Sequence, residues 1–195
     1  MDEIKNTGGI KMYTTMDYEA EISVEEYVQN YVDVETFLEA CRACPNYDRV
    51  WSCPSYDFDV MAYWKHYKTL KLQARKIVFE KEYTEKTYGQ EELTAFLNPV
   101  ILQEKQKLGE KMRAEEEHYP GSISLAAGSC GRCKEGCTRT KGEKCRFPED
   151  LRYSIESLGG NVGLTIEKLM GLKLEWIEEG RLPGHFVLVN GLLIP

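Results

Sequence analysis

The segment Ser129–Pro148, SCGRCKEGCTRTKGEKCRFP, carries the strongest functional signal in the sequence. It contains Cys130, Cys133, Cys137 and Cys145 with the spacing C-x2-C-x3-C-x7-C. Thiolates that bind one metal must converge to about 2.3 Å from it. Four cysteines in one short loop meet that requirement far more readily than cysteines scattered along a chain.

A second group of cysteines lies upstream, in the segment 41–54, CRACPNYDRVWSCP. Cys41, Cys44 and Cys53 have the spacing C-x2-C-x8-C, and all seven cysteines of the chain fall in these two loops. The N-terminus has no apolar signal-peptide core, which predicts a cytoplasmic protein. Because disulfides are rare in that compartment and the number of cysteines is odd, metal or redox chemistry is the better explanation.

The spacing favours an iron–sulfur cluster over zinc in the four-cysteine loop. Zinc ribbons pair two C-x2-C knuckles, whereas each loop here has one. Three close cysteines with a distant fourth and a following proline are typical of [4Fe–4S] loops. The match is incomplete, since the gap before Cys137 is one residue longer and Pro148 lies three positions after Cys145. We therefore predict a [4Fe–4S] cluster here, with structural zinc as the alternative.

The three-cysteine loop leaves more alternatives open. Cys41, Cys44 and Cys53 could hold a second [4Fe–4S] cluster with one iron open, or a metal completed by a non-cysteine ligand. An open iron could act on a substrate as a Lewis acid. The remaining alternative is that these thiols only pack or stay free.

The charge pattern indicates which partners the chain suits. Residues 129–148 hold six basic and two acidic side chains, a local charge of +4 in a chain of net charge −7. Such a loop would offset the negative charge of a thiolate-bound cluster, would lower thiol pKa values, and is compatible with docking a redox partner protein. The net negative charge argues against nucleic-acid binding. The chain has no run of about 18 apolar residues, so no membrane span is predicted. Oligomeric state is not indicated.

Length and periodicity predict a single domain over residues 1–195, with loops 41–54 and 129–148 as metal-binding lobes. The fold class is α/β or α+β, a mixed sheet with flanking helices and both cysteine loops at one end. Predicted strands are 17–22, 70–80, 123–127, 172–177 and 185–194, the last with a turn at Asn190-Gly191. A helix is predicted from about Val24, where Ser23 and Glu26 form an S-x-x-E capping box. Further helices are predicted over 34–40, 60–67, 91–118, 149–158 and 161–170, the last capped by Asn161, and Pro99 kinks or splits the long one. Its charged second half should be solvated on most faces, and residues 1–16 form a tail or an edge strand.

Two segments carry a family resemblance, CRACPNYDRVWSCPSY (41–56) and AAGSCGRCKEGCTRTKGEKCRFPEDLRYSIESLGGNV (126–162). Together they resemble a family of small predicted metal-binding proteins, domain of unknown function 2284. The resemblance covers most of residues 33–170 and rests on the seven cysteines, the Cys-Pro pairs and RFPEDLRYSIES. It implies an iron–sulfur or other metal protein of anaerobic prokaryotic metabolism, with all seven cysteines at matching positions. The family usually has a double proline after the third cysteine, whereas Pro54 is followed here by Ser55.

Three functions remain open at this level. The first is an iron–sulfur redox protein in electron transfer or within an oxidoreductase. The second is a zinc-stabilised interaction module without catalysis, and the third is an enzyme using an open-site [4Fe–4S] cluster on a small molecule. No catalytic residue is identified, since the chain lacks G-x-S-x-G, and His66, His118 and His185 have no zinc-enzyme spacing.

Overall fold

The computed structural model describes residues 12–195. Residues 1–11 of the predicted N-terminal tail or edge strand lie outside this range. Within that range the strands are β1 (Tyr13–Ser23), β2 (Thr69–Phe79), β3 (Ile123–Leu125) and β4 (His185–Ile194). The α-helices are α1 (Val24–Tyr31), α2 (Val34–Arg42), α3 (Val60–Lys65), α4 (Lys81–Thr84), α5 (Gln90–Glu116) and α6 (Val162–Met170). Short 3-10 turns cover Thr138–Lys141, Pro148–Asp150 and Glu156–Leu158. None of the helices in residues 12–195 is long and apolar enough to cross a membrane.

The strands form one sheet in the order β1-β2-β4-β3. All its pairings are antiparallel, and β1 pairs with β2 along its whole length, from Tyr13 opposite Phe79 to Ser23 opposite Thr69. The α+β class is therefore confirmed, with an antiparallel rather than a mixed sheet. Ser23 ends β1 and caps α1 by accepting a hydrogen bond from the Glu26 amide at 3.2 Å, as the S-x-x-E pattern predicts.

The main core lies between one sheet face and the helices α1, α3 and α6. Tyr27 and Trp64 are completely buried there. The Tyr27 hydroxyl shares a 2.8 Å hydrogen bond with Thr165 Oγ1, and Trp64 Nε1 donates to the Leu158 carbonyl at 2.9 Å. Because the polar atoms of both rings are satisfied, burial of these large side chains is favourable. The core therefore holds the turn around Leu158 in place beside the helices.

Helix α5 covers the opposite face of the sheet and is not split at Pro99. Proline removes one hydrogen bond from a helix, but Leu97 and Val100 on either side are buried and hold this one in place. The second half is also less solvated than predicted. Glu104 is buried there and accepts hydrogen bonds from Tyr13, Arg75 and Lys107.

Residues 149–158 do not form the predicted helix. Two serines provide the alternative, since the Ser154 amide donates to Ser157 Oγ at 3.0 Å and the Ser157 amide donates to Ser154 Oγ at 3.1 Å. Serine side chains that bond nearby amides compete in this way with helix formation. The Ala126 amide also donates to the Tyr153 carbonyl at 2.8 Å, which holds the segment extended beside the end of β3.

The C-terminal predictions are partly wrong as well. Asn190 and Gly191 lie inside the continuous strand β4, opposite Gln73 and Leu72 of β2, and do not form a turn. A Cβ on Gly191 would lie 3.0 Å from Leu70 Cδ1, so the glycine marks a close side-chain approach. Residues 172–177 have no regular secondary structure, whereas helix 162–170 is capped by Asn161 as predicted.

The Gly159-Gly160 pair joins the α1–α2 connection to the turn before α6. The Asp33 amide donates to the Gly159 carbonyl at 2.8 Å, and Gly159 has a φ of +81°. A Cβ on Gly159 would lie 2.7 Å from Val34 Cα, and one on Gly160 would lie 2.4 Å from Ile155 Cγ2. Only glycine permits this approach, which brings α2 and the loop after it next to residues 156–159.

The carboxylate of Glu116, at the end of α5, should make the free energy of unfolding depend on pH. Burial opposes ionisation of Glu116, but hydrogen bonds from Arg152 and from the Ser124 amide outweigh burial and lower the pKa below its ordinary value of 4.5. The unfolded chain then binds this proton more tightly than the folded chain does, so acid favours unfolding. The stabilisation is present above pH 4.5 and is lost as the pH falls further. We expect Glu116→Gln to lower the free energy of unfolding by about 2 kcal/mol at neutral pH.

Urea denaturation between pH 3 and pH 7 measures this effect. The loss caused by Glu116→Gln should shrink as the pH falls. Glu117→Gln removes the neighbouring exposed carboxylate and should change little. An equal loss at every pH would show that the Glu116–Arg152 ion pair is not its source.

Candidate metal centre

The two cysteine loops lie against each other. The upstream loop follows α2 and the four-cysteine loop follows β3. The Cys130 amide donates to Ser52 Oγ at 2.8 Å, and Asn46 Nδ2 donates to Ser129 Oγ at 3.1 Å. Trp51 Nε1 adds a 3.2 Å hydrogen bond to the Glu143 carbonyl. The structure therefore confirms the prediction that both loops lie at one end of the fold.

Arg139 is the main connection between the loops. Its guanidinium donates to the carbonyls of Cys53, Val50 and Ser55, with the Cys53 bond at 2.6 Å. It also pairs with the Asp48 carboxylate at 2.7 Å, and its side chain is only 11% exposed. Its donors hold the upstream backbone, while its positive charge favours the thiolate form of Cys53 against the larger, opposing effect of burial.

The thiols of the four-cysteine loop surround one cavity of about 180 Å³. Cys130, Cys133, Cys137 and Cys145 all border it, and Trp51, Phe147 and Leu151 contribute apolar surface. All seven cysteines of the chain are free thiols. This set of donors is one that either an iron–sulfur cluster or zinc accepts.

The four downstream thiols and Cys41 border the two cavities, but the donors do not lie at the spacing of a single-ion site. Within residues 12–195, no three His, Cys, Asp or Glu side chains form a group that could hold a metal ion. Burial raises the pKa of Cys41, Cys53 and Cys130, and at Cys53 it outweighs the opposing effect of the Arg139 charge. Because metal ligation requires thiolates, binding a metal at these cysteines would release protons.

The upstream loop borders a second cavity, of about 370 Å³. Cys41, Tyr47 and Pro54 line one side of it, and Glu156 and Gly159 line the other. Cys44 is exposed and Cys53 is partly buried.

An aromatic residue next to the upstream loop, Tyr56, packs against neighbouring rings. Tyr56 stacks on Phe58 with ring centroids 4.8 Å apart, and its hydroxyl donates to the Ser52 carbonyl at 2.8 Å. The same ring meets Tyr153 edge-on. Tyr56 therefore anchors the loop on the core.

Two charged residues near the loops were missed by sequence reasoning. Lys105 extends from α5 towards the four-cysteine loop, since a Cβ on Gly128 would lie 3.4 Å from its Nζ. Burial lowers the pKa of Lys105, while Glu156, Cys130 and Cys53 oppose that shift. Burial raises the pKa of Glu156, whose Oε2 is enclosed and has no hydrogen-bond partner in the described chain. Neither residue has a distinctive sequence context, so only the tertiary structure reveals them.

The histidines occupy separate places. His66 is exposed at the end of α3 and meets Tyr67 edge-on. His118 bonds the Ala114 carbonyl one helical turn earlier. His185 is buried and its ring contacts Glu175 and the Lys173 carbonyl. These contacts are those of structural or surface histidines.

Comparison with known proteins supports the same chemistry at family level. No curated protein and no solved structure matches the chain. A family model described as predicted metal-binding protein (DUF2284) matches residues 23–194, which include both cysteine loops. The resemblance seen in the cysteine segments therefore extends over nearly the whole chain, and the chain belongs to this family of predicted metal-binding proteins.

Proposed function

We propose that this chain is a single-domain iron–sulfur redox protein that carries electrons to or within an oxidoreductase system. The observation that carries the proposal is the set of four free thiols, Cys130, Cys133, Cys137 and Cys145, around one cavity. A [4Fe–4S] cluster bound there would supply a one-electron carrier. The chain itself supplies the thiolates, the surrounding charge and the walls that limit water access.

The surroundings of the cavity support a cluster. Trp51 and Phe147 border the thiols with apolar surface, and a low-dielectric shell is one way in which a protein sets a reduction potential. Arg132 lies over the Phe147 ring, 4.8 Å from its centroid, and pairs with Asp150. A positive charge next to the ligand cavity would compensate a thiolate-bound cluster.

The exposed lysines of the same loop support docking to a partner. Lys134, Lys141 and Lys144 are exposed, whereas Arg139 is engaged with the upstream loop. Exposed lysines beside a redox centre suit an acidic surface on a redox partner, because complementary charge accelerates association.

The test is metal and acid-labile sulfide analysis of protein purified without oxygen, together with a visible spectrum. About eight iron and eight sulfide per chain would support clusters in both loops, and about four of each would support one. Stoichiometric zinc without sulfide would contradict the redox proposal and favour the zinc-stabilised interaction module.

Cys133→Ala is expected to abolish most of the bound metal, because it removes one of the four proposed ligands of the downstream site. Metal content per chain is the measurement. Cys44→Ala is the matched control, since it changes a cysteine of the other loop and should spare the four-cysteine site. Full iron content in Cys133→Ala would contradict the assignment of the four-cysteine loop.

A further inference from the structure

The three upstream cysteines lack a fourth protein ligand in sequence, and the structure brings a carboxylate next to them. Cys41 and Glu156 are 115 positions apart in the chain but border the same cavity of about 370 Å³. The Gly159-Gly160 pair makes this possible, because it lets the turn that carries Glu156 approach α2, and Cys41 lies near the end of α2.

Glu156 has a carboxylate oxygen without a role inside the protein. Its Oε2 is enclosed and has no hydrogen-bond partner among residues 12–195. Ser154 and Lys105 act on the same carboxyl group without providing a hydrogen bond to Oε2. A buried carboxylate without a partner is costly, and a bound cation is one of the few groups that offset that cost.

The chemistry of the pair matches a mixed thiolate–carboxylate site. Zinc and iron both accept carboxylate oxygen beside thiolate sulfur, the oxygen at about 2.0–2.2 Å for zinc. Cys44 and Cys53 belong to the same loop as Cys41, and the Ser52 and Arg139 contacts hold that loop in place.

We propose that Glu156 is the fourth, oxygen ligand of the metal site formed by Cys41, Cys44 and Cys53. This inference rests on the proposed function only in requiring that the upstream thiols bind metal. It gives the site a complete set of protein ligands. An upstream metal ligated by Glu156 has no open position, which argues against the open-site enzyme and for an electron-transfer or structural role.

Cobalt titration of metal-free protein without oxygen tests the assignment. The full-length chain with Cys130, Cys133, Cys137 and Cys145 all changed to alanine is the background, so that Co²⁺ absorption reports on the upstream loop. Adding Glu156→Gln, which keeps the side-chain shape, should weaken Co²⁺ binding by about tenfold or more. Adding Glu156→Cys should preserve binding and increase the thiolate-to-cobalt absorption, because a fourth thiolate replaces the carboxylate.

Asp59→Asn is the matched control. Asp59 borders the same cavity, but its carboxylate caps α3 by accepting from the Met61 amide at 2.8 Å. Asparagine also caps helices, so this variant removes the same charge from the same cavity and should bind Co²⁺ as the background does. Thermal unfolding of the metal-free variants checks that each is folded.

Several outcomes would overturn the assignment. Unchanged Co²⁺ affinity in Glu156→Gln would do so, as would an unchanged cobalt spectrum in Glu156→Cys. If the background that lacks the four downstream cysteines binds no Co²⁺, the upstream loop is not a metal site and the assignment of Glu156 is wrong. Iron and sulfide in the wild-type four-cysteine loop would still support the proposed function in each of these cases.

Discussion

Replacing Arg139 with methionine is expected to separate the two cysteine loops and to reduce metal binding in both. The guanidinium donates to three backbone carbonyls of the upstream loop and pairs with Asp48. Methionine fills similar space but leaves the three carbonyls, two of them partly buried, without this donor. We expect the free energy of unfolding to fall by about 3 kcal/mol. Asp48 is 61% exposed, so most of this loss comes from the carbonyl bonds rather than from the ion pair. Anaerobic urea denaturation and metal analysis measure the two effects.

Two further variants separate geometry from charge. Arg132→Met removes a positive charge from the same loop, but Arg132 is 58% exposed and pairs with a partly exposed Asp150, so it should cost less than about 1 kcal/mol. Arg139→Lys keeps the charge but loses the planar set of donors, so it should behave like Arg139→Met. If Arg132→Met and Arg139→Met lose metal equally, the loop needs charge rather than the Arg139 hydrogen bonds.

Glu104→Ala is the second substitution with a large expected effect, and it acts on the fold far from the cysteines. The Glu104 side chain is 2% exposed and accepts from Arg75 Nη1 and Tyr13 at 3.0 Å each, and from Lys107 at 2.5 Å. The bonds from Tyr13 and Arg75 attach α5 to strands β1 and β2. Removing one partner from a buried charged network costs about 3–5 kcal/mol. Urea denaturation at neutral pH measures the loss.

Glu110→Ala is the control on the same helix. Glu110 is exposed and its carboxylate accepts only from Gln106 at 2.9 Å within the described chain. Substitutions of this kind change stability by about 0.5 kcal/mol or less. If Glu104→Ala is no more destabilising than Glu110→Ala, the Glu104 network does not hold α5 on the sheet.

The ligand thiols were the most predictable part of the candidate site. Their spacing is a local property, since a loop of 20 residues with four cysteines can bring them around one point wherever it lies. The structure indeed puts Cys130, Cys133, Cys137 and Cys145 around a common cavity. Strong local signals also predicted the caps of α1 and α6, where Ser23 and Asn161 accept from amides three residues later.

The errors occurred where a local signal competed with a tertiary contact. Asn190-Gly191 has the composition of a hairpin turn, yet both residues pair with β2 because Gly191 lies where Leu70 and Leu125 approach. The segment 149–158 has helical periodicity, but the Ser154–Ser157 bonds and the pairing with Ala126 hold it otherwise. Periodicity reflects the order of apolar and polar side chains along the chain, and it carries no information on these competing hydrogen bonds.

The sequence alone predicted the metal-binding character, a fold that combines helices with a sheet, and the two cysteine loops. Each of these depends on residue types at short spacing. Only the tertiary structure decided that Arg139 joins the loops and that Glu156 lies beside Cys41. Those contacts join residues 84 or more positions apart, and the approach of Glu156 to Cys41 depends on how the Gly159-Gly160 turn packs against α2. No local pattern encodes such an approach, since it is set by close packing between segments that are remote in the chain.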